Sequence, residues 1–261
     1  YIILESTYGD SLHDVYHPTA DTLLEWIEQT CIKNKGKLII PAFSVGRTQE
    51  LLYALNQLEI EKRLPALEYF VDSPLSTKAT QIIKSYPQYF NSRIQKVLQH
   101  DEDPFSFRGL KFTKSVDESK LLNYYTKPCV IISASGMAEA GRIKHHISNN
   151  VENSRNTVLM TGYCEPNSLG ARLLKKPETV TIFGQLHQVN ATIGEMRSMS
   201  AHGDYNDLLQ YLACQDPKKV KKVFLVHGEY DVQQNFAAML LKKGFEPYIP
   251  DRHEEVGLTL K

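Results

Sequence analysis

Leu38 to Leu52 reads LIIPAFSVGRTQELL, and its changes of character set the fold. The run Lys37–Ile40 has no polar alternation after its first residue, the mark of a strand covered on both faces. Small residues from Ala42 to Gly46 predict a tight turn. From Arg47 the pattern becomes helical, with Leu51, Leu52 and Leu55 at spacings of three and four. The same strand–turn–helix unit recurs along the chain. Strand-like runs are Tyr1–Leu4, Leu67–Val71, Cys129–Ser133, Thr157–Thr161, Thr179–Phe183 and Val220–His227. Helical spacing recurs at Leu23, Leu24, Ile27 and Cys31, at Leu208, Leu209 and Leu212, and at Phe236, Met239 and Leu240. Short continuous strands alternating with helices predict an α/β fold, a mostly parallel sheet flanked by helices.

The bulk composition narrows the class. The chain has 261 residues, 42% of them hydrophobic and 23% charged, enough for one large domain or two modest ones. Basic and acidic residues balance at 30 each. A nucleic-acid binder with this average must gather its basic residues locally. No apolar run approaches the ~20 residues of a membrane helix, so no membrane contact is expected. The four cysteines, Cys31, Cys129, Cys164 and Cys214, include no C-x-x-C pair. They read as reduced thiols, which suits a cytoplasmic protein. The opening YIILES places a strand at the first residue, as in a chain whose upstream part is missing.

Local signals mark the element ends. Asp204, or Ser200 before it, can cap the helix of Leu208, and Gly228-Glu229 precedes a helix from Gln233 to Leu241. Lys242-Lys243-Gly244 is a helix stop. Asn91 to Asn123 is polar and irregular, and reads as a lid or subdomain edge. The basic cluster DPKKVKK, Asp216–Lys222, reads as a solvated loop.

Several short stretches can carry chemistry. Ala42-Phe43-Ser44-Val45-Gly46 is a near match to the nucleophile elbow, with Ala for the first Gly. That leaves open a serine hydrolase with Ser44 as nucleophile and His227 as base, against a plain helix start capped by Ser44. ISASGMAEAGR, Ile132–Arg142, runs from a strand into a helix and can present backbone N–H groups to an anion. DSPLST, Asp72–Thr77, and GYCEPNSLGARLL, Gly162–Leu174, have the same form, and all follow strand carboxyl ends, where open parallel sheets place ligands. Glu5 closes the first strand, where an acid can orient a histidine. Of nine histidines, His13, His17, His100, His145, His146, His187 and His253 read as structural or solvent-facing. His202 and His227 differ because glycine follows each, which lets a ligand approach. A catalytic zinc takes about three protein ligands, and no H-x-H-x-D-H cluster occurs in the chain.

Taken in order, ESTYGD, PAFSVGRTQELL, VDSPL, SASGMAEAGRIKHHI, TGYCEPNSLGARL, SAHGD and VFLVHGE resemble the second half of the metallo-β-lactamase-fold nucleases of the β-CASP group. The similarity is strongest to the endonuclease subunit of the mRNA 3′-end cleavage machinery and its prokaryotic relatives. The resemblance implies an inserted β-CASP domain, residues 17–186, and the C-terminal part of a metallo-β-lactamase αββα domain, residues 1–16 and 187–261. It places Glu5 and His202 in catalytic roles and His227 as a zinc ligand. The remaining ligands for two zinc ions would precede Tyr1. One departure is Gly203, where relatives commonly have Ala or Thr.

The activity implied is zinc-dependent hydrolysis of single-stranded RNA, endonucleolytic or 5′-exonucleolytic. In that scheme two zinc ions polarise the phosphate and hold the nucleophile. His202, oriented by Glu5, stabilises phosphate charge or protonates the leaving group. Arg47, Ser133, Ser135 and Gly136 are candidates for RNA-phosphate contact, and a homodimer is compatible with the pattern. By this reading the 261 residues alone are inactive. An RNA-binding or scaffolding paralogue without metal ligands is the second reading, and the Ser44 hydrolase the third.

Overall fold

The computed structural model describes residues 1–13, 19–196 and 199–259. In chain order its elements begin β1 (Ile2–Glu5), α1 (Thr19–Ile27), β2 (Lys37–Pro41), α2 (Arg47–Ile60), β3 (Glu68–Asp72), α3 (Pro74–Lys84), α4 (Ser92–Val97), β4 (Leu110–Phe112), α5 (Val116–Asn123) and β5 (Cys129–Ser133). They continue with α6 (Arg142–Asn150), β6 (Thr157–Met160), α7 (Leu169–Leu174), β7 (Thr179–Ile182), β8 (Gln185–Gln188), β9 (Thr192–Glu195), α8 (Tyr205–Leu212), β10 (Val223–Val226), α9 (Tyr230–Lys242) and β11 (Pro247–Tyr248). The fold is mixed α/β, with mostly parallel sheets and helices. Two compact units divide the chain: Tyr1–Val15 with Ser200–Lys261, and Tyr16–Met199. His17, the expected start of the inserted domain, lies outside the described residues.

The second unit is built on a six-stranded sheet of order β4-β3-β5-β2-β6-β9, parallel at every pairing. Strand β2 is buried along its whole length, and its alternate residues serve opposite faces. Leu38 and Ile40 pack with Leu23, Ile27, Leu51 and Leu55 on one side. Ile39 packs with Ile143, Ile147 and Leu169 on the other. Each such side chain contributes about 1.5–3 kcal/mol by leaving water, which is why a strand between two helical layers reads as unbroken apolar sequence.

Weakly patterned strands complete the sheet. Pairing of β9 with β6 carries the unit past residue 186, to Met199. Thr192-Ile193-Gly194-Glu195 has poor strand propensity because of its glycine, yet a Cβ at Gly194 would lie 2.6 Å from Trp26 Cη2. The missing side chain lets the indole lie against the strand. The Asn91–Asn123 stretch is not an irregular lid: it supplies α4, edge strand β4 and α5. Thr179–Phe183 does not join the large sheet, because Phe183 and Gly184 both take positive φ (52° and 77°) and turn β7 back onto antiparallel β8. Gly46 is the N-cap of α2, its N–H donating to Gln49 Oε1, so Ser44 is not the cap.

A polar network is buried in this unit at Asp72, the last residue of β3. Its carboxylate accepts hydrogen bonds from the Thr113 and Ser119 hydroxyls, and from Arg142 Nη1 at 2.7 Å and His146 Nε2 at 2.6 Å. Burial alone pushes the carboxyl pKa up. The bonds from His146, Ser119, Thr113 and Arg142 outweigh that and hold it well below the usual carboxylate range.

The first unit has a parallel sheet of order β1-β10-β11. Leu4, Leu225, Leu208, Leu212, Phe236 and Leu240 form its core. Asp204 caps α8, accepting from the N–H groups of Asn206 and Asp207. Burial raises its pKa, but these N–H groups and that of His13 together outweigh it and lower the value overall. Gly244, at φ +85°, ends α9 as the Lys-Lys-Gly stop predicts. Among the described residues no helix is long and apolar enough to cross a membrane.

Two measurements test this architecture. Ile39→Ala opens a cavity between layers and should lower unfolding stability by about 2–5 kcal/mol in urea titration. The depressed Asp72 pKa contributes stability that is full above the unfolded carboxyl value, about 3.9, and is lost as pH falls through the folded value. The urea midpoint should therefore drop as pH falls below about 4, and Asp72→Asn should start lower and drop less.

Candidate active site

Parallel pairing of β1 with β10 sets Glu5 opposite Val226. The residues just past both strand ends, Ser6-Thr7 and His227-Gly228, therefore lie side by side. Ser6 Oγ donates to the Val226 carbonyl at 2.9 Å and ties the two exits together. His227, just past the end of β10, takes a left-handed backbone, φ +55°, a conformation that a non-glycine residue adopts at a cost. Gly228 follows because the chains touch there: a Cβ would lie 2.7 Å from both the carbonyl and the hydroxyl oxygen of Ser6.

His202 arrives from the loop before α8. Its imidazole stacks on that of His227, with ring centroids 5.0 Å apart and planes 28° from parallel. Glu5 lies against it, Oε2 standing 3.4 Å from His202 Nδ1. The carboxylate is fixed by backbone, accepting from Gly203 N at 2.9 Å on Oε1 and from Thr7 N at 2.8 Å on Oε2. Thr7 Oγ1 lies 3.3 Å from His202 Nδ1 and 3.1 Å from His227 Nδ1, and donates to the His227 carbonyl at 2.8 Å. One donor atom each from Glu5, His202 and His227 falls within 4.8 Å of the others. An imidazole is an ordinary zinc donor, and exposed His227 at the edge of this cluster fits that metal as one ligand of a larger site.

Two neighbours carry no sequence signal. His13, which reads as a loop histidine, donates from Nε2 to the His202 carbonyl at 2.7 Å, and the Asp204 carboxylate accepts from its backbone N–H at 3.1 Å. Tyr8 packs edge-on against the His13 ring. Thr7 sits within ESTYGD, yet nothing in that string separates it from the serine before it. Its role depends on what β10 brings beside it. At Gly203 a Cβ would meet Asp207 Cβ at 3.2 Å, so the glycine relieves a tight contact with the first turn of α8.

The remaining sequence candidates belong to the second unit. Arg47 is buried and its Nη1 pairs with Glu50 at 2.7 Å. Ser133 is buried with its hydroxyl donating to the Asp72 carbonyl at 2.7 Å. Ser135 is half-buried, and its Oγ accepts from Ala140 N at 3.3 Å. Gly136 makes room for the Phe43 ring, whose Cδ2 a Cβ would meet at 2.7 Å. Ser44 Oγ lies 3.2 Å from Ser73 Oγ, a serine pair rather than a serine–histidine pair.

Residues 48–173 match the Beta-Casp domain, and residues 186–250 match the Zn-dependent metallo-hydrolase RNA specificity domain. The chain belongs to the β-CASP group of the metallo-β-lactamase fold. It is 31% identical over 245 residues to a ribonuclease of Thermus thermophilus, covering 94% of this chain and 55% of that protein. An RNase J-like protein of Methanocaldococcus jannaschii is 31% identical over 245 residues, 92% of this chain and 55% of its own length. The cleavage and polyadenylation specificity factor 73 of Drosophila melanogaster is 29% identical over 230 residues, 87% of this chain and 32% of its own. The chain thus spans about half the length of the first two relatives and a third of the other.

Gly228→Ala tests the geometry that seats His227. Its methyl meets backbone oxygen of Ser6, so the strand exits must separate. Unfolding stability should fall by about 1–3 kcal/mol, and the NMR resonances of the His202 and His227 rings should both move.

Proposed function

We propose that the protein this chain represents is a zinc-dependent ribonuclease that hydrolyses phosphodiester bonds in single-stranded RNA. The single observation that carries the reading is the convergence of Glu5, His202 and His227 within 4.8 Å, in a chain whose relatives include named ribonucleases. His227, at a strand exit with its ring exposed, is the residue that holds metal. Zinc bound there supplies Lewis acidity toward the phosphate and a lowered pKa for the attacking water. The other ligands come from sequence outside these 261 residues.

The rest of the site divides the work. Glu5 spends both oxygens on backbone N–H groups and His202, so it acts as an orienting group rather than a ligand. With Glu5 at its Nδ1, His202 turns Nε2 toward the reacting phosphate. As an imidazolium it places a proton on the departing oxygen, or holds its positive charge against the phosphate. For phosphate contact in the second unit, Ser135 and Gly136 suit the role better than Ser133, whose proton is engaged inside the fold, or Arg47, which is buried against Glu50. Separated cysteines suit a cytoplasmic setting. An RNA-binding paralogue without activity is the reading to be displaced, and retention of all three site residues favours the nuclease.

The test is cleavage of a labelled single-stranded RNA by the full-length protein. Chelator should abolish cleavage and added zinc restore it. His202→Ala should lower kcat by about 10²–10⁴-fold while RNA binding persists. Activity that survives chelator, or a fully active His202→Ala, would reject the proposal. The 261-residue chain alone should neither cleave RNA nor retain zinc through dialysis.

A further inference from the structure

The Thr7 hydroxyl makes three contacts, and its chemistry allows only one assignment of protons to them. Oγ1 has a single hydrogen and two acceptor lone pairs. Its contacts are the His227 carbonyl oxygen at 2.8 Å, His227 Nδ1 at 3.1 Å and His202 Nδ1 at 3.3 Å. A carbonyl carries no proton, so the shortest contact consumes the hydroxyl hydrogen. Both ring contacts must then run the other way, from Nδ1–H into the two lone pairs of Oγ1. At His202 the same Nδ1–H also faces Glu5 Oε2 at 3.4 Å, an acceptor that agrees with this direction.

We infer that Thr7 is a positioning residue that sets the tautomer of both site histidines at once. With Nδ1 protonated in each neutral ring, the lone pair lies on Nε2, the nitrogen turned away from Thr7 and Glu5. That is the nitrogen through which His227 binds metal in the function proposed above, on which this inference rests, and through which His202 exchanges a proton. The same hydroxyl restrains the backbone, because its bond to the His227 carbonyl holds a residue whose φ of +55° is costly for any residue but glycine. Thr7 is 7% exposed, so its hydroxyl has few openings to solvent other than these three contacts. Its branched Cβ also limits χ1 to few rotamers. One buried oxygen thereby couples ring orientation, tautomer and turn geometry in two residues 25 positions apart.

The test is histidine ¹⁵N spectroscopy of the metal-free chain at about pH 8.5, well above the ordinary imidazole pKa of about 6.5. Two-bond proton–nitrogen correlations distinguish Nδ1–H from Nε2–H rings. The unsubstituted protein should show His202 and His227 as Nδ1–H. Thr7→Val, of equal size but without the hydroxyl, should lose that form at His227 and leave it at His202, where Glu5 still accepts. Thr7→Ser should retain it at both. An Nε2–H signal for His227 in the unsubstituted protein overturns the inference without any variant, so a Thr7→Val chain that fails to fold does not protect it. A Thr7→Val spectrum unchanged at His227, or a Thr7→Ser spectrum altered as much as Thr7→Val, does the same. No RNA or metal enters this measurement. Its failure is thus separable from failure of the nuclease reading, which only the cleavage assay can sink.

Discussion

Parallel pairing between β1 and β10 is the constraint on which the site depends. Its register joins Glu5 to Val226, residues at opposite ends of the sequence, and it sets Thr7 beside His227. Thr7 reaches His227 across 220 positions and His202 across 195. Closing so long a loop costs little more than closing a short one, since the entropic penalty rises only with the logarithm of length. A 184-residue stretch can thus be inserted in the sequence between β1 and β10 at little cost to their pairing. A one-residue slip in β1 would turn Glu5 to the other face of the sheet. His202 would then lose its carboxylate, and Gly228 would lose the neighbour that requires it to be glycine.

The two polar centres of the chain illustrate opposite uses of a carboxylate beside a histidine. Asp72 is fully buried and satisfied by four side chains, including Arg142 and His146. It fixes the carboxyl end of β3 to α5 and α6, with the carboxylate itself closed off from solvent. Glu5 is half-exposed and held by two backbone N–H groups. It touches His202 at a distance that orients the ring rather than locking it. The first arrangement stabilises; the second leaves an imidazole at the surface with a defined direction. Residue type alone does not separate the two cases. Burial and the number of competing donors do.

Much of this was legible in sequence where burial on both faces left a pattern. The unbroken apolar runs of β2, β5 and β6 and the leucine spacing of α2 announced a parallel sheet between helical layers. The edge strands were hidden. Leu110–Phe112 is too short and too exposed to leave a pattern, and Thr192–Glu195 carries a glycine whose purpose, room for Trp26, is visible only in space. Phe183 looked like the end of a strand in the main sheet, and its positive φ makes it a hairpin corner instead. Among candidate site residues, the glycines after His202 and His227 were a usable sign that backbone comes close there. Thr7 and His13 gave no sign.

By itself the sequence determined the α/β class, the strand ends where chemistry gathers, and the three residues Glu5, His202 and His227 as one family pattern. Those are local properties: apolar period, small residues at turns, and motifs a few positions long. Tertiary structure alone decided that Thr7 bridges two histidines, that His13 supports the loop of His202, and that Ser133 turns its hydroxyl inward. A hydrogen bond is set by direction and by what else competes for the same atom. Those quantities exist only once distant segments have been brought together.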